Sequence, residues 1–146
     1  MKRVIAQMLD WRLQYKEYKT LLFVGSTEED RTKIMKEFAK NYFGNMIHIN
    51  IRNNKEIREY INTMPTGRDA YYFIEHTVHD MIVPEDTVLI FNNADACEGE
   101  GIWNYARDFF KEEDMSFLIV SGEFTEEQIE AASEYCIVVR LPEKEE

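Results

Sequence analysis

Apolar residues along this chain fall into two rhythms. Leu21-Leu22-Phe23-Val24, Val88-Leu89-Ile90-Phe91, Phe117-Leu118-Ile119-Val120 and Ile137-Val138-Val139 are short continuous runs, the pattern of strands buried on both faces. Between and before them apolar residues recur every three or four positions, which is helical spacing. The pattern predicts a helix over 3–15, with Val4, Met8, Trp11 and Tyr15 on one face, leading into a strand over Thr20–Val24. A helix over Thr32–Tyr42 follows, stopped by Gly44. Met46–Ile51 alternates like a strand near a sheet edge. A helix from Asn54 turns Ile57, Tyr60 and Ile61 inward and is broken at Pro65-Thr66-Gly67. Further helices are expected over 68–80, around Ile102–Phe110 and from Thr125 to about Tyr135. Strands are expected over Thr87–Phe91, Ser116–Val120 and Cys136–Leu141, with Pro142 ending the order. Strands alternating with helices predict an α/β three-layer sandwich, a single domain over 1–146 with about five parallel strands.

The first strand–turn–helix carries the most specific signal. Aligned on Gly25, the phosphate-loop pattern G-x-x-x-x-G-K-[ST] falls on Gly25, Asp30, Arg31 and Thr32, so the first glycine and the final hydroxyl match. Asp30 stands in place of the second glycine and Arg31 in place of the lysine. Glu28, Glu29 and Asp30 also put three carboxylates where a polyanion would dock. One like-charge contact near a surface costs about 4 kcal/mol at about 4 Å. Ser26-Thr27-Glu28-Glu29 reads instead as a capping box, in which side chains occupy the N–H groups a phosphate would take. Thr125-Glu126-Glu127-Gln128 reads as a second one.

Charge sharpens the picture. The formal net charge is −11. Residues 1–60 hold 12 Lys/Arg against 8 Asp/Glu, a net of +4; residues 61–146 hold 5 against 20, a net of −15. An acidic half of that density disfavours direct nucleic-acid binding and favours a partner with a basic surface. Glu126, Glu127, Glu130 and Glu134, with i,i+4 pairs among them, are its best candidate contact face. The two cysteines match no metal or redox spacing, and no apolar run approaches the roughly 20 residues of a membrane span. A cytoplasmic protein without membrane contact, cofactor or metal is expected. His76 and His79, with flanking carboxylates, are at i,i+3 but are poorer than the usual ligand sets of structural zinc sites. Tyr71-Tyr72-Phe73 is expected to serve as core and rim, with a ring available to anchor a partner.

Five separated blocks resemble the N-terminal P-loop domain of a prokaryotic AAA-type ATPase family, whose nuclease-like C-terminal domain has no counterpart here. They are Met1-Lys2-Arg3 with Leu9-Asp10-Trp11, Lys33 to Lys40, Ile47-His48-Ile49-Asn50 with Asn54 and Glu56, Thr87 to Phe91 with Ala94 to Cys97, and Phe117 to Gly122. The resemblance implies a P-loop NTPase fold and an Asp-Glu pair directly after the strand ending at Phe91. The aspartate would hold Mg²⁺ through water and the glutamate would polarise the attacking water. This chain has Asn92 and Asn93 there, and a neutral amide supplies neither the charge nor the base. The resemblance also places Ser121 where the family has a polar residue near the γ-phosphate; Arg107 could be imagined as an arginine finger but reads better as a solvated helix arginine.

With Asp30, Arg31, Asn92 and Asn93 altered together, the expectation is a non-enzymatic pseudo-ATPase acting as an acidic protein-binding module. Its partner would be a protein with a basic surface, such as a nuclease restrained by a phage-type inhibitor, or a homologous active ATPase. The alternative is a nucleotide-binding domain without hydrolysis, using Gly25, Arg31 and Thr32.

Overall fold

In the computed structural model the described residues are 2–13, 20–63, 86–98, 100–109 and 117–142. They form a five-stranded, all-parallel sheet covered by helices on both faces. The strands are β1 (Thr20–Gly25), β2 (Asn45–Asn50), β3 (Thr87–Asn92), β4 (Phe117–Ser121) and β5 (Ile137–Leu141). The helices are α1 (Lys2–Leu13), α2 (Glu28–Tyr42), α3 (Lys55–Thr63), α4 (Gly101–Phe109) and α5 (Glu126–Ala132). The expected helix over 68–80, with His76, His79 and Tyr71-Tyr72-Phe73, lies outside the described residues.

The strand order is β2-β3-β4-β1-β5, and sequence character follows position. The interior strands β3 and β4 are buried at every residue, and β1 at all but Gly25. The outer strands β2 and β5 alternate with exposed or half-buried positions, as the pattern of Met46–Ile51 suggested. Along β1, Leu21 and Phe23 turn to one face, where α1 and α2 bring Val4, Met8, Trp11, Ile34, Met35 and Phe38. Leu22 and Val24 turn to the other, packed with α3, α4 and α5 through residues such as Ile57, Ile61, Trp103 and Ile129. This is the expected three-layer sandwich.

The chain leaves β1 over one face toward β2, then steps back over the opposite face through β3 and β4, and finally passes β1 to reach β5. β1 and β4 are neighbours whose onward connections run in opposite directions, so their C-terminal ends form the topological switch point of the sheet. Open α/β sheets bind ligands in that crevice.

Helix starts depart from expectation at one place that matters. The capping box at Ser26–Glu29 does not form, and α2 begins at Glu28 instead of near Thr32. Gly25 and Ser26 both take left-handed backbone, φ 99° and 47°, so Ser26 lacks the extended geometry of a cap. Gly25 is forced in two ways: its φ suits glycine, and a Cβ there would collide with the Leu141 carbonyl of β5. Thr27 is extended (φ −105°, ψ 160°), and its Oγ1 accepts from the Asp30 N–H at 3.1 Å. Ser26 Oγ instead donates to the Asp30 carboxylate at 2.9 Å. The box at Thr125 does form: Gln128 N–H donates to Thr125 Oγ1 at 3.1 Å and Thr125 N–H to Gln128 Oε1 at 2.9 Å. The helix it opens ends at Ala132, before Glu134.

Thr27→Ala should therefore cost about 1 kcal/mol of stability. Ser26→Gly should cost less, because glycine relieves the left-handed backbone as the hydroxyl is lost. Urea titrations of the two variants check the assignment, and a larger loss at 26 than at 27 would return the cap to Ser26.

Candidate functional site

At the C-terminal end of the sheet the face toward α2 turns polar. Alternation puts Val88, Ile90 and Asn92 of β3 on that face, with His48 and Asn50 of β2 beside them and Ser121 closing β4. The first turns of α2 lie above, bringing Glu28, Arg31 and Thr32. The sheet and α2 thus bring together the phosphate-loop candidates and the Asn92-Asn93 pair, although 60 residues separate Thr32 from Asn92.

Their geometry is specific. Asn92 Nδ2 donates to Thr32 Oγ1 at 2.8 Å and lies 3.4 Å from His48 Nε2. The Asn92 Oδ1 accepts the Asn93 backbone N–H at 3.0 Å. Asn93 takes a left-handed conformation, φ 56°, which asparagine tolerates better than most residues. Its Nδ2 donates to Glu28 Oε1 and to Asn50 Oδ1, both at 2.9 Å, while its Oδ1 accepts from Arg52 Nη2 at 3.2 Å. Arg52 Nη1 also pairs with Glu28 Oε2 at 3.2 Å. Glu28, Asn50, Arg52 and Asn93 form one ring of bonds across α2, β2 and β3. Sequence reading passed over Asn50, Arg52 and His48 as site residues; the signal for His48 and Asn50 was two polar side chains two apart on the same face of a strand.

The electrostatics follow from that ring. The Glu28 carboxyl is held below its ordinary value, foremost by the Asn93 amide; burial, the next influence, pushes it up, and the hydrogen bond and charge of Arg52 with the charge of Arg31 pull it down again. Its contribution to stability is therefore present above the ordinary carboxylate pKa and lost as pH falls through the lowered folded one. Burial, helped by the Lys36 charge, lowers the His48 pKa, so the imidazole is neutral at pH 7 and its Nε2 is available as an acceptor facing Asn92.

Only Ser26 and Thr27 lie between β1 and α2. The phosphate-loop pattern calls for four residues between its glycines; here two of the four, Glu28 and Glu29, are already helical, as is Asp30 at the second glycine position. Arg31 is 1% exposed and folds back under the turn, Nη1 donating to the Gly25 carbonyl at 2.7 Å and to the Ser26 carbonyl at 3.4 Å. Among the described residues its Nε and the Ser121 Oγ are buried with no hydrogen-bond partner. Asp95, just past β3, accepts the Glu123 N–H at 3.1 Å. Arg107 is exposed on α4, bonded to Asn104 and stacked over the Tyr135 ring at 4.9 Å, on the opposite face of the sheet from the polar layer.

The four glutamates proposed as one acidic face are exposed but do not share a face. Glu126 and Glu130 line a groove with α1 and β5, whereas Glu127 and Glu134 line another with α4. Glu134 is also beyond the end of α5, so helical i,i+4 spacing does not extend to it. Arg140 grips Glu126 in a two-pronged ion pair at 2.8 and 3.0 Å. The acidic charge of α5 is divided and partly neutralised.

No family model matches the chain, and no curated protein resembles it in sequence. Among solved structures, PCH-2 of C. elegans, an AAA+ ATPase, superimposes with a TM-score of 0.52 at 10% identity. The match covers 97% of this chain and 41% of PCH-2, so the chain spans less than half the length of that protein. At this identity the likeness shows the fold, that of an AAA-type ATPase domain. Among the described residues no helix is long and apolar enough to cross a membrane.

The Asn93–Glu28 bond makes the amide at 93 a requirement. Asn93→Asp would set a carboxylate against Glu28 Oε1 and Asn50 Oδ1 and should cost about 2 kcal/mol at pH 7. Adding Glu28→Gln should recover most of the loss, since the new amide donates to the aspartate. Asn92→Asp faces a hydroxyl and an imidazole that can both donate, so it should be tolerated and should raise the His48 pKa. Urea titrations with NMR titration of His48 check the set; a harmless Asn93→Asp would contradict it.

Proposed function

We propose that this chain is a pseudo-ATPase, an AAA-type fold kept as a scaffold and used as an acidic protein-binding module. The observation that carries the reading is the commitment of Asn93. In the resemblance, the position after β3 should carry carboxylates that hold Mg²⁺ and activate water. Here the Asn93 amide spends both hydrogens on Glu28 and Asn50, and Asn92 is bonded to Thr32. Neither group is a base, and neither is free to turn. The two-residue connection from Gly25 to Glu28 supports the same reading, because a wrapping loop with several free N–H groups is what cradles phosphates.

The partner that suits a chain of net charge −11 is a protein with a basic surface, in the manner of phage-type inhibitors that occupy nucleic-acid channels, or a homologous active ATPase. The split of the α5 glutamates between two grooves means that this attraction is a property of the whole acidic half and not of one helix face.

A second reading, nucleotide binding without hydrolysis, is favoured by one observation. The Arg31 Nε and the Ser121 Oγ are buried and unpartnered near the switch-point crevice, as a small anion would require. Glu28 and Asp30 oppose it, since both carboxylates stand at the same helix start.

Purified protein should release no phosphate from ATP or GTP with Mg²⁺ above a buffer blank. Its thermal midpoint should not move with millimolar ATP. A ligand at a hundred times its Kd would add about 2.7 kcal/mol, readily visible as a raised midpoint. Mg²⁺-dependent turnover abolished by Thr32→Ala would overturn the pseudo-ATPase reading, and a clear shift without turnover would promote the nucleotide-binding one.

A further inference from the structure

The sheet ends at β5, which pairs with β1 alone; among the described residues no strand lies on its other side. A free edge presents unpaired N–H and C=O groups, and proteins usually blunt it with proline, bulges or outward charges. β5 has neither proline nor bulge within Ile137–Leu141. Its one charge, Arg140, is drawn to Glu126.

A groove of about 610 Å³ runs along this edge. Arg3, Val4 and Gln7 of α1 line one wall and Ile129 and Glu130 of α5 the other, with Val138 and Arg140 of β5 between them. Because α1 and α5 pack on opposite faces of the sheet, a groove touched by both must straddle the open edge of β5. The walls carry opposite charge. Among the described residues Arg3 and Glu130 have no ion pair, and Glu126 is neutralised by Arg140. The α1 wall is thus positive and the α5 wall negative, with apolar Val4 and Ile129 at the base.

A strand laid against β5 would send successive side chains alternately toward α1 and toward α5. We propose that this groove receives an extended segment of a partner protein, added as a sixth strand beside β5, with acidic side chains facing Arg3 and basic ones facing Glu130. Main-chain bonds to the free edge supply affinity, and the two oppositely charged walls select a segment whose acids and bases alternate. The proposal rests on the protein-binding reading and names the surface and the partner chemistry for it.

The test uses the full chain and a fluorescent octapeptide, Thr-Glu-Lys-Val-Val-Glu-Lys-Thr, whose acids share one face of a strand and whose bases share the other. Saturable binding by anisotropy is expected, with NMR shifts at the amides of 137–141. A peptide of the same composition with charges mixed on both faces, Thr-Glu-Val-Lys-Lys-Val-Glu-Thr, should bind about five-fold more weakly, the scale of a surface ion pair. N-methylation of both valines should abolish binding, because it removes main-chain donors. Arg3→Glu or Glu130→Lys alone should weaken the first peptide about five-fold. The double variant should restore it, since a one-residue slip exchanges the peptide's faces. Absence of saturation at millimolar peptide, equal binding of the mixed-face peptide, or shifts away from β5 would overturn the proposal. A chain that neither hydrolyses ATP nor takes the peptide loses this site and keeps the protein-binding reading. A chain that takes the peptide and also hydrolyses ATP keeps the site and loses the pseudo-ATPase.

Discussion

The Asn93 side chain holds the functional end of this molecule together. It sits where β3 gives way to a turn, in left-handed backbone, and bonds three elements through Glu28, Asn50 and Arg52. Through Glu28 it fixes the first turn of α2 over the sheet, and through Arg52 it fixes the chain leaving β2. A buried amide with donors and acceptor all engaged is a stable arrangement, whereas one partner lost leaves an unsatisfied polar group that costs about 1–3 kcal/mol. That cost makes the end of the sheet a closed structural unit.

Arg31 shows the same economy. A guanidinium at 1% exposure, with no carboxylate bonded to it among the described residues, would cost several kcal/mol if left bare. The turn offsets this by pointing the Gly25 and Ser26 carbonyls at it, which the left-handed backbone of both residues makes possible. The cation that would meet a phosphate in a phosphate-binding loop here meets the loop itself. Glycine at 25 serves the approach of Leu141 as much as the turn, so its match to the phosphate-loop pattern has a local structural cause.

The outer strands separate architecture from recognition. β3 and β4 are sealed by neighbours and helices, and their sequences can vary only among apolar residues of suitable volume. β5 alternates buried with exposed side chains, and among the described residues it pairs with β1 alone, between the flanking helices α1 and α5. The charges on α1 and α5, Arg3 and Glu130, stand at the rim of the groove along β5 and outside the core beneath.

The sequence by itself determined the layers. Continuous apolar runs have to be buried on both faces, and the alternation of Met46–Ile51 marked an outer strand, because periodicity records which faces meet water. It also determined that the residues at the end of β3, Asn92 and Asn93, are neutral amides in any fold. It left open which of two adjacent hydroxyl residues caps α2, because both Ser26 and Thr27 head an acceptable pattern and only the positive φ of Ser26 decides between them. It carried α5 too far for a related reason: pairing Glu130 with Glu134 assumes that the helix continues, and this one ends at Ala132, whereas Glu126 and Glu130 do line one groove. The ring of Glu28, Asn50, Arg52 and Asn93 joins residues up to 65 positions apart, and no local pattern encodes such a contact. Only parallel pairing of β2 with β3, with α2 laid across their ends, brings them within hydrogen-bonding distance.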